Sequence, residues 1–186
     1  MRIFISGGCK NGKSYYAQRL AKAQQANALY YVATMHPADS EDEERIAKHR
    51  QERLGWNFTT VEQPVNIGGI LQKCDPSGSF LLDSLTALLA NEMFPPSGLP
   101  NEGVADRVTD GLLQVLRKVA DIVIVSDYLY SDAALYDPLT EKYRKALASL
   151  DRTAAHLCEV VLEVAYTHVI THKGKEAFDV LYQKIL

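Results

Sequence analysis

Gly7-Gly8-Cys9-Lys10-Asn11-Gly12-Lys13-Ser14 is the stretch of this 186-residue sequence that decides its fold. It matches the pattern G-x-x-x-x-G-K-[ST], in which the glycines let backbone N–H groups wrap a polyphosphate. In that pattern the lysine, here Lys13, places a positive charge against the β- and γ-phosphates, and the hydroxyl of Ser14 reaches Mg²⁺. The stretch therefore predicts binding of a nucleoside triphosphate with Mg²⁺ and leaves the use of that nucleotide open.

The flanks of this loop have the arrangement that the pattern requires. Residues 2–6 form a short apolar run rich in β-branched side chains, which is typical of a buried first strand. Residues 14–25 have a helical pattern, with Tyr16, Leu20 and Ala23 at helical spacing. A strand, a glycine-rich turn and a helix N-terminus together favour an anion site over a merely structural turn.

Length and charge narrow the class of protein. A chain of 186 residues is predicted to form one domain, residues 1–186. The net charge of −3 argues against a nucleic-acid partner, and no apolar run approaches the ~18 residues of a membrane span. No signal peptide is visible, and the three cysteines suit free thiols in a reducing compartment. We therefore expect a cytoplasmic protein.

Strand and helix patterns alternate along the chain. Strands are predicted at residues 3–6, 29–33, 58–61, 80–83, 122–126, 160–165 and 168–171. Long helices are predicted at 102–120 and 137–158. This alternation predicts an α/β fold of the phosphate-loop NTPase type, a mostly parallel sheet with helices on both faces. The last two strands are close enough in sequence to form a C-terminal antiparallel hairpin.

Two predicted strands end in a carboxylate that could hold a metal ion. One apolar run ends at Asp83, and another is followed by Asp127. In phosphate-loop enzymes an aspartate at such a position holds Mg²⁺ directly or through water. We take Asp83, with Ser14, as the metal site and keep Asp127 as the alternative, a choice that rests on the resemblance described below. Either aspartate could instead cap a loop.

A run of charged residues surrounds His49. Ser40 and Glu43 form a capping box that predicts a helix start, and Arg45, His49 and Arg53 follow at spacings of four, on one helix face. The two like charges disfavour protonation of His49, so we expect a neutral imidazole that could attack an α-phosphate and form a nucleotidyl-histidine. The same spacing also suits a solvated helix face on which His49 is only a surface residue.

Four blocks of the sequence carry a resemblance to a known family. They are Ile5-Ser6-Gly7-Gly8-Cys9-Lys10-Asn11-Gly12-Lys13-Ser14, Tyr30-Tyr31-Val32-Ala33-Thr34, Arg45-Ile46-Ala47-Lys48-His49-Arg50-Gln51-Glu52-Arg53 with Trp56 and Glu62, and Leu81-Leu82-Asp83-Ser84-Leu85-Thr86. In order and separation they resemble bifunctional adenosylcobinamide kinase/adenosylcobinamide-phosphate guanylyltransferases of cobalamin biosynthesis. The histidine block with its downstream Trp and Glu is the specific part.

The resemblance implies a role for each matching position. His49 corresponds to the histidine that becomes guanylylated, and Asp83 to an acidic position at the guanine nucleotide site. The residues implied to bind nucleotide are Gly7, Gly8, Cys9, Lys10, Asn11, Gly12, Lys13, Ser14, Ala33, Thr34, Met35, Arg50, Gln51, Glu52, Arg53, Glu62 and Asp83. The resemblance further implies ATP and GTP as co-substrates, adenosylcobinamide, a corrinoid, as acceptor, and a homotrimer.

The implied activity has two steps, with His49 and Lys13 as the catalytic residues. The γ-phosphate of ATP or GTP passes to the aminopropanol hydroxyl of adenosylcobinamide, and GMP then passes through His49 to give adenosylcobinamide-GDP. Two alternatives stay open: a single-activity small-molecule kinase with an inert His49, and a non-catalytic nucleotide-binding regulatory protein.

The C-terminal half departs from the family pattern. Asp127-Tyr128-Leu129-Tyr130 stands where family members usually carry an Asn-Glu-Val-Gly stretch, and residues 168–186 extend beyond the usual ending. The departure leaves open a member that has lost one half-reaction or takes a changed acceptor.

Overall fold

The computed structural model describes residues 1–24, 26–37, 44, 46–47, 50–51, 54–96, 98 and 103–185. The predictions made for Ser40, Glu43, Arg45, His49, Glu52 and Arg53 lie outside the described residues. Around His49, the described residues Ile46, Ala47, Arg50 and Gln51 are helical, as the sequence pattern predicted.

The described residues form a seven-stranded sheet with the order β3-β2-β4-β5-β1-β6-β7. The strands are β1 (Arg2–Gly7), β2 (Leu29–Ala33), β3 (Thr59–Glu62), β4 (Ser79–Asp83), β5 (Asp121–Asp127), β6 (Val160–Ala165) and β7 (His168–Lys173). Each lies within one or two residues of a predicted strand. Neighbouring strands pair in parallel from β3 to β6, and β6 pairs with β7 in antiparallel fashion. The parallel sheet and the C-terminal hairpin are thus confirmed.

Helices follow most of the strands. They are α1 (Lys13–Ala23), α2 (Ile70–Lys73), α3 (Leu85–Met93), α4 (Val104–Lys118), α5 (Pro138–Leu157) and α6 (Lys175–Tyr182), with a 3₁₀ turn at Ile67–Gly69. The predicted helices at 14–25, 102–120 and 137–158 correspond to α1, α4 and α5. The start of α5 is fixed by Asp137, whose carboxylate accepts hydrogen bonds from the N–H groups of Leu139 and Thr140, and by Pro138 at the first helical position.

Two apolar clusters cover the two faces of the sheet. On one face Leu88 of α3, Leu112 of α4 and Leu147 of α5 are fully buried. On the other face Leu20 of α1 and Phe178 of α6 are buried. Burying one such side chain contributes about 1.5–3 kcal/mol. This double cover explains why the central strands are continuous apolar runs rather than alternating ones.

The topology brings three functional strand ends to one edge of the sheet. The register sets Gly7 of β1 beside Asp127 of β5, and Asp83 of β4 beside Val125 of β5. In open parallel sheets ligands bind outside the carboxyl ends of the strands. The glycine-rich loop and both candidate aspartates therefore lie where such a fold binds its ligand. No helix in the described part of the chain is long and apolar enough to cross a bilayer.

Candidate nucleotide site

The loop at residues 7–14 is shaped by contacts within the protein. Gly12 has a φ of 95°, in the left-handed region that favours glycine, immediately before α1 begins. A Cβ on Gly7 would stand 2.5 Å from the backbone oxygen of Val164, so a side chain does not fit there. The side-chain amide of Asn11 donates a hydrogen bond to the same Val164 oxygen and ties the loop to β6. The conformation of the loop is therefore determined by contacts within the protein and does not depend on a bound ligand.

Lys13 is held inside this loop with its side chain only 6% exposed. Its Nζ donates hydrogen bonds to the carbonyl oxygens of Gly8 at 2.6 Å and Gly7 at 3.2 Å. It also forms an ion pair with Asp127, with 2.6 Å between Nζ and Oδ1. A phosphate wrapped by the loop would compete with these oxygens for the ammonium group.

Asp83 lies at the end of β4, separated from the loop strand by β5. Its Oδ2 accepts a hydrogen bond from the hydroxyl of Tyr31 at 2.7 Å. Tyr31 thereby fixes the carboxylate at the wall of the cleft, where it could hold Mg²⁺ directly or through water.

Thr34, which the resemblance implied to bind nucleotide, lies beneath the site. Its side chain is fully buried, and its Oγ1 donates to the Ser84 carbonyl oxygen at 2.8 Å and accepts from the Ser84 N–H at 2.6 Å. Because both bonds go to the residue after Asp83, the hydroxyl of Thr34 supports the end of β4 from below.

A continuous cleft of about 1630 Å³ opens over this edge of the sheet. Most of the predicted nucleotide-binding residues with described positions line it: Lys10, Asn11, Gly12, Lys13, Ser14, Ala33, Met35, Arg50, Glu62 and Asp83. Small-molecule sites usually occupy about 300–1,000 Å³. The cleft is therefore large enough for a nucleotide and part of a second substrate.

Other predicted residues are placed differently. Gly7 and Gly8 present their carbonyl oxygens to Lys13. Cys9 is an exposed free thiol, and Gln51 is an exposed helical residue. His49, Glu52 and Arg53 lie outside the described residues, so their implied roles stay predictions.

The far end of the cleft carries an exposed ion pair. Arg50 Nη2 lies 2.8 Å from Glu62 Oε1, and the two side chains are 59% and 69% exposed. Such an exposed pair contributes about 0–1 kcal/mol, so a ligand can replace either partner at little cost. Trp56 also lines the cleft, with Lys22 Nζ of α1 5.0 Å from its ring centroid.

Sequence reasoning gave no role to several side chains that line the cleft, namely Tyr15, Tyr31, Thr86, Leu129 and Tyr143. Thr86 connects two of the strand ends, since its Oγ1 accepts a hydrogen bond from the N–H of Asp127 at 2.8 Å. The backbone oxygen of Thr86 in turn accepts from the hydroxyl of Tyr143 at 3.0 Å. The sequence feature that could have indicated a role for Thr86 is its position in the fourth block of the resemblance.

A buried carboxyl group lies close to the end of β5. Asp151 of α5 is 3% exposed, and its Oδ2 accepts a hydrogen bond from Tyr130 at 2.9 Å. Burial, assisted by the negative charge of Asp127, raises the pKa of Asp151 to about 6, although hydrogen bonds from Ser126 and Tyr130 act in the opposite direction. Burial likewise raises the pKa of the Tyr130 phenol.

The oxygen groups at the site suit Mg²⁺. Within the described ranges no cluster of three or more His, Cys, Asp or Glu side chains could form a metal cage. Mg²⁺ is usually held by one or two carboxylates together with substrate phosphates and water, rather than by such a cage. The hydroxyl of Ser14 and the carboxylate of Asp83, both in the cleft wall, are donors of the required kind.

Known proteins resemble this chain along most of its length. Residues 3–170 match the family described as "Cobinamide kinase / cobinamide phosphate guanyltransferase". The bifunctional adenosylcobalamin biosynthesis protein CobP of Pseudomonas aeruginosa is 32% identical over 165 residues, which cover 87% of this chain and 91% of that protein. The bifunctional adenosylcobalamin biosynthesis protein CobU of Salmonella typhimurium is 26% identical over 177 residues, covering 89% and 96%. Among solved structures, the flagellar accessory protein FlaH from Methanocaldococcus jannaschii aligns with a TM-score of 0.46 at 15% identity, over 92% of this chain and 77% of that one.

Proposed function

Because this chain belongs to the cobinamide kinase / cobinamide phosphate guanyltransferase family, we propose that it performs two transfers on one corrinoid substrate. In the first, the γ-phosphate of ATP or GTP passes to the aminopropanol hydroxyl of adenosylcobinamide. In the second, GMP from GTP passes through His49 to that phosphorylated product and gives adenosylcobinamide-GDP. The observation that carries the proposal is one cleft that joins the phosphate loop to the wall of Arg50 and Glu62.

The phosphoryl step is supported by the charges around the loop. Phosphoryl transfer depends mainly on positioning and on neutralising charge at the transferring group. Lys13 and the N-terminus of α1, which begins at that residue, lie at the loop where the β- and γ-phosphates would bind. Mg²⁺, when bound by Ser14 and Asp83, neutralises further charge on the phosphate oxygens.

The guanylyl step is supported by the residues next to His49 in the sequence. Ala47 and Arg50 both line the cleft. Attack of an imidazole nitrogen of His49 on the α-phosphorus forms an N–P bond and releases pyrophosphate. A phosphate oxygen of the phosphorylated corrinoid then attacks the same phosphorus, and the N–P bond breaks to free His49. Arg50 supplies a cation that could hold a phosphate during both displacements.

The size of the cleft favours a large acceptor over a small metabolite. Its volume of about 1630 Å³ exceeds the roughly 300–1,000 Å³ of most small-molecule sites. A homotrimer, which rests on the family likeness, and a single domain and a cytoplasmic location, which rest on the length and composition of the sequence, complete the proposal.

The test is covalent labelling with GTP that carries a label at its α-phosphate. After denaturation and washing, we expect the protein to retain label that is labile to acid and stable to alkali. His49→Ala should abolish it, and His168→Ala, which removes an exposed histidine of β7, should not. Unlabelled protein that still phosphorylates adenosylcobinamide would identify a single-activity kinase. Nucleotide binding with neither reaction would identify a non-catalytic nucleotide-binding protein.

A further inference from the structure

Asp127 lies between the phosphate loop and Asp83, the carboxylate that we propose to hold Mg²⁺. Its strand, β5, lies between β1 and β4, and the register sets Asp127 beside Gly7. Its Oδ1 is 2.6 Å from Lys13 Nζ, and its side chain lines the cleft with 22% of its surface exposed. Asp127 is therefore a carboxylate in direct contact with the lysine that a γ-phosphate would meet.

Nucleotide binding would uncover this carboxylate. An ammonium group has three N–H donors. Lys13 makes its three shorter contacts to Gly7, Gly8 and Asp127, and a fourth oxygen, Asn11 Oδ1, lies 3.5 Å from its Nζ. A γ-phosphate carries more negative charge than one carboxylate and would draw the ammonium toward itself. Asp127 has an anchor of its own, because its N–H donates to Thr86 Oγ1 at 2.8 Å. It would stay in place when Lys13 turns to the phosphate.

The wall beside Asp127 suits an acceptor better than a nucleotide. Ala87, Leu129 and Tyr143 continue the cleft from Asp127, and Leu129 is 44% exposed. Glu62 and its partner Arg50 belong to the β3 end, and β2 and β4 separate that end from β5. At about 4.8 Å per strand, the two ends are about 14 Å apart. A second substrate that enters over the apolar wall would bring its hydroxyl to Asp127 and the γ-phosphate.

We propose that Asp127 is a catalytic residue of the kinase step and takes the proton from the acceptor hydroxyl. The hydroxyl oxygen attacks the γ-phosphorus as its O–H bond breaks. The bond from the γ-phosphorus to the bridging oxygen breaks, and its electron pair leaves on the nucleoside diphosphate. The proton ends on the Asp127 carboxylate and passes to water after release of product. This inference rests on the proposed kinase activity.

Asp127 is also the only carboxylate in the stretch Asp127-Tyr128-Leu129-Tyr130 that follows the apolar part of β5. The next residue, Tyr128, is directed elsewhere, because its phenol donates a hydrogen bond to Glu163 Oε1 at 3.2 Å. Asp127 is therefore the residue of this stretch that can act beside Lys13.

The test compares Asp127→Asn with Asp127→Glu. The amide keeps the shape and an oxygen for Lys13 but cannot take a proton, so we expect kcat for phosphorylation of adenosylcobinamide to fall about 10²–10⁴-fold with the KM for ATP nearly unchanged. Asp127→Glu, which keeps a carboxylate, should restore part of the rate. Asp110→Asn, at an exposed position on α4, is the matched control.

Other outcomes would overturn the assignment. A kcat for Asp127→Asn within about threefold of the unmodified protein would exclude Asp127 as the base. A variant rescued by raised Mg²⁺ concentration would identify a metal ligand, and equal loss of phosphorylation and of α-phosphate labelling would identify a structural role. If the unmodified protein does not phosphorylate adenosylcobinamide, the proposed function itself fails, which separates the two conclusions.

Discussion

The two ends of the cleft are built in different ways. At the phosphate-loop end, Lys13 is 6% exposed and is held by two carbonyl oxygens and a carboxylate. At the β3 end, Arg50 is 59% exposed, and its ion pair with Glu62 spans open surface. The first end is organised before a ligand arrives, and the second has charges that a ligand can rearrange.

This difference matches the two reactions that we propose. Phosphoryl transfer gains most from fixed charges around the transferring group, because fixed charges need no reorganisation in the transition state. A covalent nucleotidyl transfer has to bind GTP, release pyrophosphate and then admit a second substrate. Charges that exchange partners cheaply suit that sequence of events.

The largest effect is expected at the phosphate-loop end of the cleft. Lys13→Ala removes the ammonium that meets the γ-phosphate, so we expect the rate of phosphorylation of adenosylcobinamide to fall about 10³-fold or more. The measurement is kcat/KM with ATP as donor. Lys118→Ala, which changes an exposed lysine of α4 outside the cleft, is the control. An unchanged kcat/KM in Lys13→Ala would contradict the assignment of residues 7–14 as the phosphate-binding loop of the kinase step.

A smaller effect is expected on the free energy of unfolding, from the buried carboxyl group of Asp151. Because the pKa of Asp151 is raised to about 6, the native state binds more protons there than the unfolded chain between about pH 4 and pH 6. Its contribution to the free energy of unfolding therefore falls as pH rises through that window and stays low above it. At pH 7, which is above the pKa of Asp151 in both states, the carboxylate is charged and its burial costs about 3 kcal/mol.

Urea titrations across the pH range check this expectation. Asp151→Asn should match the unmodified protein near pH 3.5 and gain stability relative to it up to pH 7. The buried Tyr130 hydroxyl keeps an acceptor in the variant, because the asparagine side chain retains one oxygen. Asp110→Asn on α4 should show no such divergence. A stability difference independent of pH would show that Asp151 is not protonated in the folded protein.

The structure of the phosphate-loop end was also easier to predict from the sequence than that of the β3 end. The loop at residues 7–14 and the strand ending at Asp83 follow local patterns of glycine spacing and apolar runs. Contacts between distant segments were not predictable in the same way. Asp127 touches Lys13 across 114 positions of sequence, and only the strand order, with β5 next to β1, brings them together.

Thr34 shows the opposite limit of sequence reasoning. Its place directly after β2 was predicted, but whether its hydroxyl faced the cleft or the protein depended on Ser84, 50 positions away. Asp151 illustrates the same point, since a helical pattern indicates a buried face but not which polar groups meet it there. Sequence predicted which residues reach the edge of the sheet, and tertiary packing decided which of them line the cleft.

The smallest effect is expected at the β3 end of the cleft. Arg50→Ala breaks an exposed ion pair, so the free energy of unfolding should change by less than about 0.5 kcal/mol. The rate of α-phosphate labelling from GTP should fall about tenfold, because a charged hydrogen bond to phosphate is worth about 1.5 kcal/mol or more. Arg117→Ala, at an exposed position of α4, should change neither quantity. A loss of stability above about 1 kcal/mol with normal labelling would mean that Arg50 serves the fold, and the contrast between the two ends of the cleft would then be lost.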